Sequence, residues 1–266
     1  MANENSLLVP WDFTKLSEFA LEAALRLTSK SGEKIVLVHI VENLGMVHDA
    51  GRKLVAVAET VLEKHGVELE VTVRAGNLFR TIHEVAHELH ARLMIMGTHG
   101  IKGMQKYTGS FALKIIENAR VPFLVIQEQV NGNQLLNLVI PVDVKFDRKS
   151  MLQWVQYLSQ LYTCKLHFFV RGIDEKVIQT KLNEHLKFMQ NAAEMNNLPF
   201  DIIYAETKGS FTEHIIQYAK NVNADMILIS SVGHLNMSDY VLGVPEQNII
   251  ANWAKIPVMC VNNHEN

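Results

Sequence analysis

A short apolar run, Leu93-Met94-Ile95-Met96, leads directly into Gly97-Thr98-His99-Gly100. After eight more residues, Gly109-Ser110 precedes Phe111-Ala112-Leu113-Lys114-Ile115-Ile116, which has helical spacing. A buried strand, a glycine-rich loop and a helix start are a device for holding phosphates. Glycine lets the backbone approach an anion, and the first helical N–H groups face it with the positive end of the dipole. The frame recurs: Met226-Ile227-Leu228-Ile229 leads into Ser230-Ser231-Val232-Gly233, and Gly243 follows after nine residues.

Two other sets of residues carry chemistry. Asp12, after the apolar Leu7-Leu8-Val9-Pro10, offers acceptors to a ribose hydroxyl or an adenine amino group, and it equally suits the cap of a helix starting near Thr14. His83-Glu84-Val85-Ala86-His87 matches H-E-x-x-H, the pattern of a zinc hydrolase with the glutamate as general base. On a helix, however, Ile82, Val85, Ala86 and Leu89 form the apolar stripe and leave the histidines on the wetter flank, so a solvated face is the better reading. His99 lies inside the glycine loop, where it can reach a phosphate or the loop backbone. Neither G-x4-G-K-[S/T] nor G-x-G-x-x-G occurs, which argues against a P-loop ATPase and a dinucleotide oxidoreductase. No catalytic residue and no resident metal site is expected.

These residues must be positioned by two copies of one unit. Leu7–Asp12 and Leu138–Asp143 align at an offset of 131, Gly76-Asn77-Leu78 and Gly209-Ser210-Phe211 at 133, and Ile115-Ile116 and Ile249-Ile250 at 134. Units of this size are domains rather than solenoid repeats, with expected bounds of 1–130 and 135–266 and a polar linker over Glu128–Gln134. In the first unit, strands are expected at Leu7–Pro10, Lys34–Val41, Leu69–Val73, Leu93–Met96 and Phe123–Gln127. Helices are expected from Thr14 to about Ser29, from Met46 to His65 with Gly66 as C-cap, from Leu78 to Leu89, and over Ser110–Asn118. Apolar strands alternating with helices predict an α/β fold: two tandem doubly wound domains, each a five-stranded parallel sheet of order 3-2-1-4-5 flanked by helices. Ligands of such sheets sit beyond the carboxyl ends of the strands, where strand order reverses. Pro10-Trp11-Asp12, His39-Ile40-Val41 and the Gly97 loop should converge there. Each unit's last strand, Phe123–Gln127 or Pro257–Val261, falls at a sheet edge, and exposed edges invite pairing.

The bulk composition bounds the function. Of 266 residues 48% are hydrophobic and 20% charged, and the formal net charge is −3, a balance that suits cored soluble domains and gives no electrostatic reason to expect nucleic-acid binding. No apolar run is long enough for a membrane span, and the polar Met1-Ala2-Asn3-Glu4-Asn5 has no basic segment of a secretory signal. The two cysteines, Cys164 and Cys260, lie in separate apolar segments and suit a reducing cytoplasm.

Val9-Pro10-Trp11-Asp12-Phe13, Met96-Gly97-Thr98-His99-Gly100, and Gly109-Ser110 ahead of Val121-Pro122-Phe123-Leu124-Val125-Ile126 resemble the universal stress proteins in their tandem two-domain form, over nearly the whole chain. ATP-binding members of that family carry G-x2-G-x9-G-[S/T]. By position, the resemblance implies adenine or ribose contacts from Pro10, Asp12 and Ile40, phosphate contacts from Gly97, Gly100, Gly109 and Ser110, and Met96 beside the ribose. The ligand implied is ATP or another adenine nucleotide, with or without magnesium. The resemblance also implies that the two domains dock at their edge strands as an internal pseudo-dimer, with homodimerisation of the chain left open. Both halves depart from the pattern. In the first, the loop is one residue short, worth up to about 3.5 Å of reach. In the second, Ser230 replaces Gly97, Val244 replaces Ser110, Pro245 removes an N–H, and Glu246 sets a carboxylate against any phosphate. The function expected is therefore a cytoplasmic stress-response protein that binds an adenine nucleotide in its N-terminal domain as a regulatory ligand and acts on a protein partner. It is not expected to be an enzyme, with slow ATP hydrolysis left open. The alternatives are an interaction scaffold with relic sites and, more remotely, a metal-dependent hydrolase using His83, Glu84 and His87.

Overall fold

The computed structural model describes residues 6–98, 115, 121–130, 132, 134–144, 146–231 and 244–262. The chain forms two compact units, one containing 6–98 and 121–130, the other 134–231 and 244–262. In the first unit the elements run β1 (Ser6–Pro10), α1 (Lys15–Ser31), β2 (Lys34–Val41), α2 (Val47–His65), β3 (Leu69–Ala75), α3 (Leu78–Glu88), β4 (Ala91–Gly97) and β5 (Phe123–Ile126). The helix expected over Ser110–Asn118 lies outside the described residues except for Ile115, which is helical and buried. The second unit runs β6 (Asn137–Val142), α4 (Arg148–Leu161), β7 (Lys165–Val170), α5 (Lys176–Met195), β8 (Phe200–Tyr204), α6 (Phe211–Asn221), β9 (Met226–Ser231), α7 (Val244–Ile250) and β10 (Val258–Asn262).

Each sheet is parallel, in the doubly wound order expected from the alternation of strands and helices. The first is β3-β2-β1-β4-β5 and the second β8-β7-β6-β9-β10. Strands covered on both faces must be apolar along their length, and Leu7, Leu8 and Val9 of β1 and Leu138, Val139 and Ile140 of β6 are all fully buried. Each such side chain removed from water contributes about 1.5–3 kcal/mol. Short-range signals set the helix ends. α1 and α2 stop at Gly32 and Gly66, whose φ angles of 71° and 68° are left-handed, and whose N–H groups bond back to Thr28 and Leu62. The repeated Gly-Asn-Leu and Gly-Ser-Phe segments are strand-to-helix turns. Asn77 accepts from Phe79 N–H and Arg80 N–H at the start of α3, and Ser210 from Glu213 N–H at the start of α6.

One capping expectation needs correction. Thr14 occupies the N-cap position of α1, but its side chain makes no cap bond. Its hydroxyl donates to Asp12 Oδ1 at 2.6 Å, and the same oxygen accepts Thr14 N–H at 3.0 Å. Asp12 thus braces the chain at the start of α1 without taking a first-turn N–H, whereas Asp147, the N-cap residue of α4, accepts from Lys149 N–H and Ser150 N–H.

Candidate functional site

β1 lies between β2 and β4, so the strand order of the first unit reverses beside it. The registers Pro10↔Val38 and Leu8↔Met94 bring the carboxyl ends of these three strands to one edge. That edge carries Pro10, Asp12, Ile40, Met96 and Gly97. The other three residues assigned from the sequence, Gly100, Gly109 and Ser110, lie outside the described residues, as does His99.

The loop after β1 is tightly built. Trp11 N–H donates to Val38 carbonyl at 2.8 Å, continuing the β1–β2 ladder by one residue. His39 reaches across from β2, and its Nδ1 lies 2.6 Å from the Trp11 carbonyl oxygen. A carbonyl only accepts, so Nδ1 carries a proton in this contact. Phe13 adopts a left-handed φ of 61°, uncommon for a bulky side chain. Its ring meets His39 edge-on at 5.1 Å and Trp11 at 6.2 Å. The meeting of Trp11 and His39 at the strand ends was expected from the sequence, but Phe13 between them was not, because no local pattern signals a left-handed phenylalanine.

Asp12 divides its two oxygens. Oδ1 accepts three hydrogen bonds, from Thr14 N–H, the Thr14 hydroxyl and the Ser17 hydroxyl. Oδ2 has no hydrogen-bond partner among the described residues, and the side chain is exposed. One carboxylate thus braces the start of α1 and still keeps an acceptor open. Met96 is buried within β4, in register with Val125 of β5. Gly97 has a packing reason of its own: a Cβ there would collide with the carbonyl of Leu16 in the first turn of α1. Glycine is required whether or not a phosphate is ever bound.

The second unit treats the same positions differently. Ser230 stands where the first unit has Gly97, and its hydroxyl oxygen accepts Asp147 N–H at 3.0 Å, tying β9 to the start of α4. The start of α7 carries Glu246 in its first turn. This unit also holds a cleft of about 280 Å³ that no motif marked, at the carboxyl ends of β7 and β8. It opens between Arg171, Asp174, Glu206 and Phe211, with the Arg171 guanidinium 5.5 Å above the Phe211 ring.

The H-E-x-x-H segment lies on α3 as expected, yet its glutamate is engaged. Glu84 Oε1 accepts from Arg80 Nε at 2.7 Å, one helical turn away. Among the described residues no three His, Cys, Asp or Glu side chains converge on a common point suited to a metal ion. Both cysteines are free and buried, and burial raises their thiol pKa values, that of Cys260 strongly. No helix among the described residues is long and apolar enough to cross a membrane.

Residues 5–127 match the family model of the universal stress protein family. The chain carries a universal stress protein domain. Beyond that match, its fold is similar to that of a universal stress protein from Archaeoglobus fulgidus DSM 4304, at 18% identity and a TM-score of 0.78, covering 97% of this chain and 98% of that one. A functionally unknown protein from Pseudomonas aeruginosa PAO1 is similar over 97% of this chain and 92% of its own, at 15% identity and a TM-score of 0.69. At these identities the likeness is one of fold, and it extends across both units. No curated protein matches the chain. Within the universal stress protein domain the residues named above at the β1, β2 and β4 ends form the candidate site.

Proposed function

We propose that the chain is a cytoplasmic universal stress protein whose N-terminal unit binds an adenine nucleotide as a regulatory ligand, without fast turnover. The observation that carries this reading is the composition of the strand-end edge: Asp12 keeps one carboxylate oxygen open beside the ends of β2 and β4, with Ile40 and Gly97 on either side. An open acceptor suits the hydroxyl and amino donors of a nucleoside, and the loop from Gly97 through Gly109-Ser110 suits its phosphates. Gly100, Gly109 and Ser110 enter by their positions in the family pattern. In the second unit Ser230 is held by Asp147, so that unit acts as structural support or as a surface for a protein partner. No residue is assigned a catalytic role.

A thermal-shift titration with ATP, ADP and AMP, with and without magnesium, tests the proposal. A ligand that binds only the folded chain stabilises it by about 2.7 kcal/mol at a hundred times its dissociation constant, so a saturable rise in Tm is expected. Gly109→Trp should abolish the rise, and substitution of Val244 should leave it intact. No rise at millimolar nucleotide would overturn the proposal in favour of an interaction scaffold.

A further inference from the structure

We infer that α2 of the first unit is a self-association surface, pairing antiparallel with α2 of a second copy of this chain. α2 packs on β2 and β3 and buries Ala50, Leu54 and Val61. One residue further along the helix, Gly51, Val55, Ala58 and Leu62 follow the 4-3-4 spacing of a second stripe, rotated from the buried one by about 100°. Val55 is 41% exposed and Leu62 49% exposed, so this stripe is open to solvent on the folded chain.

Gly51 marks the stripe as more than a chance pair of apolar residues. It sits inside a 19-residue helix, where glycine costs about 1 kcal/mol relative to alanine. A Cβ placed on it meets nothing within 4 Å, so nothing among the described residues requires it to be small. A second helix does. In an antiparallel pair with its two-fold axis between Val55 and Ala58, Leu62 falls opposite the partner's Gly51, and Val55 opposite the partner's Ala58. Each large side chain meets a small one, and the symmetry repeats both contacts, as an isologous interface requires. His48 and His65 close the two ends of the seam.

The charges select the same arrangement. Arg52 and Glu59 flank the stripe on its solvent side, seven residues apart. Antiparallel pairing sets Arg52 beside the partner's Glu59 at both ends, whereas parallel pairing would carry the two copies of these residues to opposite sides of the seam, where they could not pair. Arg52 is pre-positioned by Asp49 Oδ1 at 2.9 Å, and Glu59 makes no ion pair among the described residues. The inference is independent of nucleotide binding.

Sedimentation equilibrium of the full chain, from micromolar to several hundred micromolar, tests it. A reversible monomer–dimer equilibrium is expected. Leu62→Glu should weaken it at least about tenfold, since the pair would bury an unpaired carboxylate. Arg52→Glu should weaken it, and Arg52→Glu combined with Glu59→Arg should restore it. Gly51→Leu guards against a folding artefact, because it should raise the Tm of the monomer while still blocking association. A chain that stays monomeric throughout, or a dimer whose dissociation constant is unmoved by Leu62→Glu and Gly51→Leu, would overturn the inference.

Discussion

At the residue scale, Asp12 shows how one side chain can satisfy two readings that look exclusive in a sequence. Its Oδ1 fixes the start of α1 through three hydrogen bonds, and Oδ2 stays open at the strand ends. Substitutions separate the two roles. Asp12→Asn retains an oxygen that can take the same bonds but replaces the open acceptor with a donor. It should leave Tm nearly unchanged and lower nucleotide affinity by about tenfold or more, the scale of a lost hydrogen bond to a charged group. Asp12→Ala should lose affinity and also cost about 1 kcal/mol of stability, the typical net value of an intramolecular hydrogen bond. Calorimetric titration and denaturant unfolding of both variants check this. Equal nucleotide affinity in Asp12→Asn and the parent would remove Asp12 Oδ2 from the site. Gly97 carries the complementary lesson. A phosphate loop is the obvious reason for a glycine after a strand, yet the Leu16 carbonyl alone already demands one.

At the scale of elements, the sequence was legible wherever the signal is local. Gly66 ends α2 because glycine enters the left-handed region without a Cβ penalty, and the apolar runs named the strands because both faces of a parallel sheet are covered. Tertiary choices were not legible. His167 on β7 reads as part of an apolar strand, but it is buried with Nε2 donating to Asn137 Oδ1 at 3.1 Å and Nδ1 accepting from the Tyr218 hydroxyl at 2.9 Å. His185 on α5 is buried against Phe146, and neither ring nitrogen has a hydrogen-bond partner among the described residues. Desolvation lowers the pKa of both. Lys165 adds to the effect at His167 against Asp201, and Arg148 and Lys181 add to it at His185 against Asp143 and Glu184. The folded chain therefore holds both histidines neutral where the unfolded chain begins to protonate them. Stability from this source is complete above the unfolded value of about 6.5 and is lost as pH falls below it, with a slope approaching 1.4 kcal/mol per pH unit for each group. Unfolding free energy measured at pH 7.5 and 5.5 should drop, and His185→Leu should flatten the drop. A variant with an unchanged pH slope would remove His185 from this account.

At the scale of the whole molecule, the chain is a duplication whose halves keep one topology and have diverged at the strand ends. Both sheets run in the same order, and Asp143 repeats Asp12 at the same place after the first strand of its unit. At the strand ends of the two units the residues that a ligand would touch differ. Gly97 packs against Leu16 and leaves the edge without a side chain, whereas Ser230 bonds Asp147 N–H and so bridges β9 to the first turn of α4. In the second unit a protein hydroxyl thus already meets the helix start. The nearby acid in α7, Glu246, adds like charge against any phosphate. The proposed function therefore carries a stoichiometry: calorimetric titration with the nucleotide ranked tightest should give one site per chain. Restoring the second unit toward the first with Ser230→Gly should not create another site, because Val244, Pro245 and Glu246 still oppose a phosphate at the start of α7. Two sites in the parent chain would mean that the carboxyl-terminal cleft binds in spite of these substitutions, and the division of labour between the units would have to be abandoned.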